Sequence, residues 1–168
     1  MAFLFRALLE RMMVRVLLTS LMLFAATAEA GVPALAVHHF QLGEAHYESG
    51  NFEAAVAAFT KAIEAAPMES EYHRQLGRAY GRLAEESSWL TALGLVRKTR
   101  KQLERAVALD DENLKAISDL IDFYEQAPGL LGGSGSGAKR LRAHLAAVCS
   151  RHGIVTSETV CVEQLTAQ

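Results

Sequence analysis

The chain has 168 residues, of which 51% are hydrophobic and 21% are charged. This composition is typical of a single folded domain, and it excludes both a disordered acidic chain and a membrane bundle. The formal net charge of −2 argues against a nucleic-acid partner, because a protein that binds nucleic acid requires a strongly basic face.

The first 30 residues carry the three parts of a secretory signal in order. Three arginines, at positions 6, 11 and 15, precede a 13-residue apolar run at 16–28, and small residues surround the bond after Ala30. A helix that spans a bilayer needs roughly 20 apolar residues, so this run favours a cleaved signal peptide over a membrane anchor. We therefore expect residues 1–30 to be removed. The mature chain would be exported to the periplasm, or secreted, without stable membrane insertion, and its formal charge would be −3.

A repeat with a period of 34 residues follows. The segment HFQLGEAH at 39–46 recurs as HRQLGRAY at 73–80, so Gly43 and Gly77 occupy matching positions. The first unit continues with apolar and small residues at regular spacing and a closing proline: Leu42, Ala55, Phe59, Ala62 and Pro67. This period and pattern resemble the tetratricopeptide repeat (TPR) family.

The resemblance implies an all-α fold, a right-handed superhelical stack of about three helix-turn-helix hairpins, which is an α-solenoid. The residues also supply a physical reason for the first hairpin. Gly43 is expected to face Ala55 so that two helices can approach closely, with Leu42 and Phe59 filling the space around them. Pro67 ends the second helix because it has no N–H to donate.

Three units are predicted, at about 36–69, 70–113 and 114–150, and residues 151–168 are expected to form a tail or a short capping helix. The packing residues of the second and third units are Leu76, Gly77, Tyr80 and Ala106, then Leu120, Tyr124 and Ala138. Both units depart from the period, the second by an insertion near 85–95 and the third by a longer turn near 127–137. These departures are similar to those of a subgroup of bacterial exported TPR proteins whose role is not established.

The two departures leave alternatives open. Trp89, the only tryptophan, is either an anchor for a partner or a side chain packed over its own hairpin. The glycine-rich segment 129–137 has Gly132 and Gly137 at the spacing of a phosphate-binding loop, but Ala138 stands where that loop needs lysine, and a helix precedes it. We therefore predict no nucleotide cofactor, and a loop that is flexible or contacts a partner.

The histidines and cysteines decide whether a metal site or a disulfide is predicted. The six histidines form no His-x3-His pair and the two cysteines form no Cys-x2-Cys pair, so no metal site is predicted. In an exported protein, Cys149 and Cys161 either form one disulfide that ties the tail to the last helix, which is our prediction, or remain two thiols.

Three arginines mark the candidate binding surface. Arg74, Arg78 and Arg82 are spaced four apart and form one stripe along a helix. The resemblance implies that this stripe faces the concave groove in which TPR proteins hold partner peptides, together with further groove residues: Glu44, Tyr47, Lys115 and Asp122. An arginine can bind a carboxylate through two hydrogen bonds, so the stripe predicts an acidic extended segment as ligand. The alternative is that neighbouring carboxylates, among them Glu44 and Asp122, neutralise the stripe within the protein.

The predicted function is that of a scaffold or assembly factor that binds another protein or an extended peptide and needs no cofactor. The alternative is a structural protein of the cell envelope that forms homo-oligomers through the insertion and Trp89. An enzyme is not predicted, because no serine, cysteine or carboxylate pair stands out with a partnered base and the glycine-rich loop lacks its lysine.

Overall fold

The computed structural model describes residues 34–152. The α-helices of this part of the chain are α1 (34–48), α2 (Phe52–Ala65), α3 (Ser70–Glu86), α4 (Trp89–Leu109), α5 (Leu114–Gln126) and α6 (Gly135–Arg151), with a 3₁₀ turn at Gly129–Leu131. The predicted signal peptide, residues 153–168 of the predicted tail and Cys161 lie outside the described residues. No helix between residues 34 and 152 is long and apolar enough to cross a bilayer.

Consecutive helices pair into three hairpins, α1–α2, α3–α4 and α5–α6. Helix α3 lies at the centre of the stack, since it packs against α2, α4 and α5. The prediction of an all-α stack of three helical hairpins is confirmed.

The turn of the first hairpin depends on Gly50. Its φ of 77° lies in the left-handed region, which side chains with a Cβ rarely adopt. Directly after it, the side chain of Asn51 accepts a hydrogen bond from the backbone N–H of Ala54 at 3.2 Å and so caps the start of α2. Helix α2 ends at Ala65, and Pro67 follows two residues later, as expected of a residue that cannot continue a helix.

Side-chain hydrogen bonds tie the second hairpin to the third. Asn113 accepts from the N–H of Ala116 at 3.0 Å and caps α5. Its amide nitrogen donates to the hydroxyl of Ser70 at 2.9 Å, and that hydroxyl donates to the carbonyl oxygen of Ala106 at 3.0 Å. These bonds hold the end of α4 beside the starts of α3 and α5.

Most of the packing residues predicted from the sequence lie in the interfaces between the helices. Those with at most 3% of their surface exposed are Ala55, Phe59, Ala62, Leu76, Ala106, Leu120 and Ala138. Gly43 and Gly77 are also buried, whereas Tyr80 and Tyr124 are partly buried. The core therefore runs through all three hairpins.

Gly43 lies against the ring of Phe59 on the second helix of the same hairpin. A Cβ atom at Gly43 would lie 2.5 Å from Cδ1 of Phe59, so α1 and α2 approach too closely here for a larger residue to fit without a shift. Phe59 is completely buried, so its ring has no free space into which it could move.

The predicted packing role of Leu42 is corrected, because its side chain is 42% exposed. The matching residue of the second unit, Leu76, is 3% exposed, since it packs against Ala55 and Phe59 of the preceding hairpin. Within residues 34–152 no hairpin precedes α1, so Leu42 has no equivalent neighbour there.

The insertion lengthens both helices of the second hairpin, to 17 residues in α3 and 21 residues in α4. Trp89 is the first residue of α4 and is 71% exposed, and Leu90 beside it is 65% exposed. Of the two roles left open for Trp89, packing over its own hairpin is therefore excluded.

The glycine-rich segment folds into a tight turn and the first turn of α6. A Cβ atom at Gly133 would lie 1.7 Å from the carbonyl oxygen of Ala127, so only glycine fits where the chain passes this close to itself. The Ser134 hydroxyl accepts from the N–H of Gly137 at 3.0 Å and caps α6. The loop is thus shorter than predicted, because residues 135–137 are helical.

Candidate functional site: a cleft between the second and third hairpins

A cleft of about 490 Å³ opens between the second and third hairpins. This space, the interhairpin cleft, is lined by residues of α3, α4, α5 and the turn after α5: Arg78, Gly81, Ala84, Glu85, Ala92, Val96, Thr99, Leu103, Asp119, Asp122, Phe123, Gln126, Ala127, Pro128 and Leu131. Apolar side chains predominate, with a few charged groups among them. That combination and volume are typical of a ligand site.

Both departures from the repeat period form walls of this cleft. Glu85 and Ala92 belong to the insertion, and Ala127, Pro128 and Leu131 belong to the longer turn. A strictly periodic array has neither segment, so it would lack both walls. The two parts of the sequence that the repeat pattern does not explain therefore meet in space.

Arg74, the first residue of the arginine stripe, is buried and fully engaged. Its side chain is 7% exposed, and it donates to Glu71 at 2.7 and 2.6 Å and to Asp119 at 2.8 Å. Desolvation lowers the pKa of Arg74, but the bonds to the two carboxylates outweigh it and raise this pKa above its ordinary value. The predicted ligand contact at Arg74 is corrected, because internal pairing occupies its guanidinium. The partners are Glu71 and Asp119, whereas Glu44 and Asp122 had been expected.

Arg78 lines the interhairpin cleft and is partly buried. Its Nη1 donates to the side-chain oxygen of Gln75 at 3.1 Å, and its guanidinium carbon lies 5.0 Å from the centre of the Tyr47 ring. Among residues 34–152 it forms no ion pair, and further N–H groups of the guanidinium remain for a ligand. Arg78 is therefore the arginine of the stripe that lines the cleft and forms no ion pair with another described residue.

Arg82 lies outside the cleft, at the exposed end of α3. It forms an ion pair with Glu85, and its guanidinium carbon lies 5.2 Å from the centre of the Phe52 ring. Arg74, Arg78 and Arg82 thus have three separate environments, and they do not act as one cationic surface.

Asp122 is an exposed carboxylate on the opposite wall of the cleft, on α5. Partial burial raises its pKa above the usual range, and the negative charges of Asp119 and Glu125 raise it further, while Arg142 partly opposes them. Within the described part of the chain Asp122 has no hydrogen bond or ion pair. Asp122 is therefore a carboxylate of this wall that no described residue pairs directly.

The other predicted groove residues lie away from the cleft lining. The Tyr47 ring packs against the guanidinium of Arg78, and Lys115 is exposed on α5. Glu44 is partly buried on α1, where burial and the charges of Glu71 and Glu48 raise its pKa and Arg74 lowers it. The seven residues that the sequence grouped into one groove are thus divided, and only Arg78 and Asp122 line the same cleft.

Sequence reasoning missed the carboxylates that hold Arg74 and most of the apolar lining. Glu71 has a local signal, because it precedes Arg74 by three positions on the same helix. Asp119 has none, since it lies 45 residues further along the chain. Phe123 and Leu131 also carry no pattern that places them in one cleft.

No group of three or more histidine, cysteine, aspartate or glutamate side chains in residues 34–152 is placed to hold a metal ion.

Comparisons with known proteins bear directly on the fold. Residues 39–68 match the family model described as tetratricopeptide repeat. The Arabidopsis OM64 TPR domain superposes with a TM-score of 0.55 at 16% identity, over 81% of this chain and 98% of that domain. The fold is that of a tetratricopeptide repeat domain. A second TPR structure, the first TPR of Spaghetti (RPAP3) bound to the HSP90 peptide SRMEEVD, gives a TM-score of 0.55 at 16% identity, over 80% of this chain and 95% of that one. A search of curated proteins found no match.

Within this fold, the matched segment 39–68 is the hairpin that keeps the regular spacing. The interhairpin cleft lies outside it, between the two units that depart from the TPR period. The TPR fold predicted from the sequence is confirmed, while the likeness to bacterial exported TPR proteins stays a prediction.

Proposed function

We propose that the chain is a binding scaffold that holds an extended segment of another protein in the interhairpin cleft. The observation that carries the proposal is the convergence of both irregular segments on one open, mostly apolar cleft. Protein interiors are normally close-packed, and larger side chains than Ala84 and Ala92 would fill this space. A second support is the fold, since the TPR domain of Spaghetti (RPAP3) is bound to a peptide.

An acidic group on the ligand, as the sequence predicts, would bind at Arg78 alone. Arg74 is buried and bonded to Glu71 and Asp119, and Arg82, which does not line the cleft, is paired with Glu85. The proposed carboxylate contact is therefore one guanidinium and not a stripe of three.

The cellular setting is also part of the proposal. The basic start, the apolar run at 16–28 and the small residues before Gly31 support export to the periplasm, where the scaffold would act as an assembly factor. Sequencing the N-terminus of the protein recovered from the periplasmic fraction tests the location. A start at Gly31 is expected, and a protein retained in the cytoplasm with residues 1–30 intact would contradict export.

Site-specific photo-cross-linking in the producing cell tests the binding function. Benzoylphenylalanine placed at Gln126, an exposed residue of the cleft, is expected to give a discrete cross-linked product. The matched control places it at Glu64, an exposed residue of α2 outside the cleft. The product should also disappear when Ala92→Trp fills the cleft. Equal products from both positions, or a product that survives Ala92→Trp, would contradict binding in the cleft.

A second candidate is self-association through the start of α4. Trp89 and Leu90 are adjacent, and 71% and 65% of their surfaces are exposed, so together they offer an apolar contact to a second copy. Size-exclusion chromatography with light scattering tests this. A dimer that Trp89→Ser converts to monomer would support it, and a monomer at all concentrations would rule it out.

A further inference from the structure

We propose that the interhairpin cleft selects an extended segment in which an apolar side chain lies next to a lysine or arginine, with the apolar group in the cleft and the cation at Asp122. This inference deepens the proposed function and rests on it. It names the ligand chemistry that the sequence pattern did not predict, because the arginine stripe pointed to an acidic ligand.

The apolar part of the ligand follows from the floor of the cleft. Val96, Leu103, Phe123 and Leu131 line it, and the small side chain of Ala84 leaves the space between them open. Burying an apolar side chain there contributes about 25 cal/mol per Å² removed from water. A polar or charged side chain in the same place would lose its hydration without gaining enough hydrogen bonds to compensate.

The charged part of the ligand follows from which charged residues of the cleft lining already have an ion pair. The charged residues that line the cleft are one cation, Arg78, and three carboxylates, those of Glu85, Asp119 and Asp122. Glu85 is paired with Arg82, and Asp119 is paired with the buried Arg74. Among the described residues, Asp122 is the carboxylate of the cleft that has no ion pair.

The surroundings of Asp122 make an incoming cation favourable. Asp122 lies near the negative charges of Asp119 and Glu125, which add to partial burial in raising its pKa, while Arg142 opposes them. A ligand ammonium or guanidinium would relieve this repulsion.

Arg78 does not take the place of such a cation. It forms no ion pair with Asp122, and Gln75 and the Tyr47 ring hold its guanidinium on the α3 wall. Among the described residues, the lining cation without an ion pair therefore lies on α3, and the lining carboxylate without one lies on α5. A ligand acid would bind on the α3 side and a ligand base on the α5 side, and the apolar side chain would lie between them.

Selection from a library of short random peptides tests the inference without a known partner. The library is panned against the wild-type protein, Asp122→Arg, the charge-matched control Glu64→Arg and the cleft-filled variant Ala92→Trp. Wild type and Glu64→Arg are expected to enrich peptides with lysine or arginine at one constant spacing from an apolar residue. Asp122→Arg should lose this preference, and Ala92→Trp should enrich none of these peptides.

The affinity of the most enriched cationic peptide then gives the magnitude. By fluorescence anisotropy, Asp122→Asn should weaken binding about threefold and Asp122→Arg roughly tenfold, as expected for a partly exposed charge pair removed or reversed. Asp122→Asn keeps the shape of the side chain, so it separates charge from folding.

The outcomes of the selection distinguish the preference for a cationic ligand from binding in the cleft as such. Enriched peptides that depend on the open cleft but show no lysine or arginine, or that keep this preference on Asp122→Arg, would overturn the inference and leave the proposed function standing. No enrichment on the wild type, or equal enrichment on Ala92→Trp, would overturn both.

Discussion

The guanidinium of Arg74 on α3 donates to the carboxylate of Asp119 on α5 at 2.8 Å, and this contact joins the second hairpin to the third. The same guanidinium is held by Glu71 on its own helix. A residue whose spacing pattern pointed to a ligand contact is therefore a link within the stack, and the space beside it, the interhairpin cleft, is the candidate site.

Replacing Arg74 with alanine is expected to lower the free energy of unfolding by about 2 kcal/mol, because Glu71 and Asp119 would lose their shared cation in a partly buried place. Urea denaturation followed by circular dichroism measures this. The control is Arg82→Ala, whose ion pair with Glu85 is exposed and is expected to contribute about 0.5 kcal/mol or less. Equal losses for the two variants would show that Arg74 is not a structural link.

Two glycine substitutions are expected to change the free energy of unfolding in opposite directions. A Cβ at Gly43 would lie 2.5 Å from the buried Phe59 ring, so Gly43→Ala should lower the free energy of unfolding by about 1–3 kcal/mol. A Cβ at Gly94, inside α4, meets nothing within 4 Å, so Gly94→Ala should raise it by up to about 1 kcal/mol through helix propensity. Thermal unfolding of both variants checks the pair. A Gly43→Ala protein as stable as the wild type would contradict the close contact with Phe59.

The raised pKa of Asp122 predicts a stability change that depends on pH. A carboxyl group whose pKa is higher in the folded state favours folding while it is protonated, and this contribution is lost as the pH rises through the folded pKa. Asp122→Asn should therefore be slightly more stable than the wild type at pH 7. Because the carboxylate is largely exposed, its free energy of unfolding should rise by about 0.5 kcal/mol or less, measured by urea denaturation. The difference should vanish at pH 3, below the ordinary pKa of aspartate.

The charged groups around Asp122 provide the control for this effect. Asp119 and Glu125 repel its charge and Arg142 attracts it, while Arg78 on the facing wall forms no ion pair with it. Asp119→Asn removes a carboxylate that pairs with Arg74, so it should destabilise the protein at pH 7. If Asp122→Asn were also less stable than the wild type at pH 7, the claim that the ionised carboxylate of Asp122 destabilises the folded protein would be refuted.

The predicted disulfide has a simple chemical test. Cys149 is buried on α6, and Cys161 lies 12 positions further on, outside the described residues. Mass spectrometry of the exported protein, alkylated without reduction, is expected to find no alkylated thiol. Closing a loop of this length stabilises a protein by about 3 kcal/mol, so Cys161→Ser should lower the unfolding temperature markedly. Two alkylated cysteines would refute the disulfide.

The repeat pattern predicted the fold well because local spacing determines which faces can pack. Gly77 and Leu76 recur one period after Gly43 and Leu42, and such a period is enough to predict stacked hairpins. The same pattern failed for Leu42, whose burial would depend on a neighbouring hairpin and not on its own helix. Position in the repeat gives the direction of a side chain, but it does not supply the neighbour.

The site was harder to predict, because long-range contacts decide it. The pairing of Arg74 with Asp119 crosses 45 residues, and no spacing rule connects them. The cleft arises where an insertion near Ala92 and a turn near Leu131 come together, and both are irregular in the sequence. Arg78 and Asp122 were recognisable as charged groove positions, but their unpaired state depends on which neighbours are already paired.

Whether a partner segment binds in the interhairpin cleft is tested by a nuclear magnetic resonance titration of the isotope-labelled protein with the most enriched cationic peptide. Binding in the cleft should give the largest amide shift changes at Gly81, Ala92 and Phe123 and leave α2 unchanged. Shift changes centred on α1 and α2, or none at saturating peptide, would contradict it.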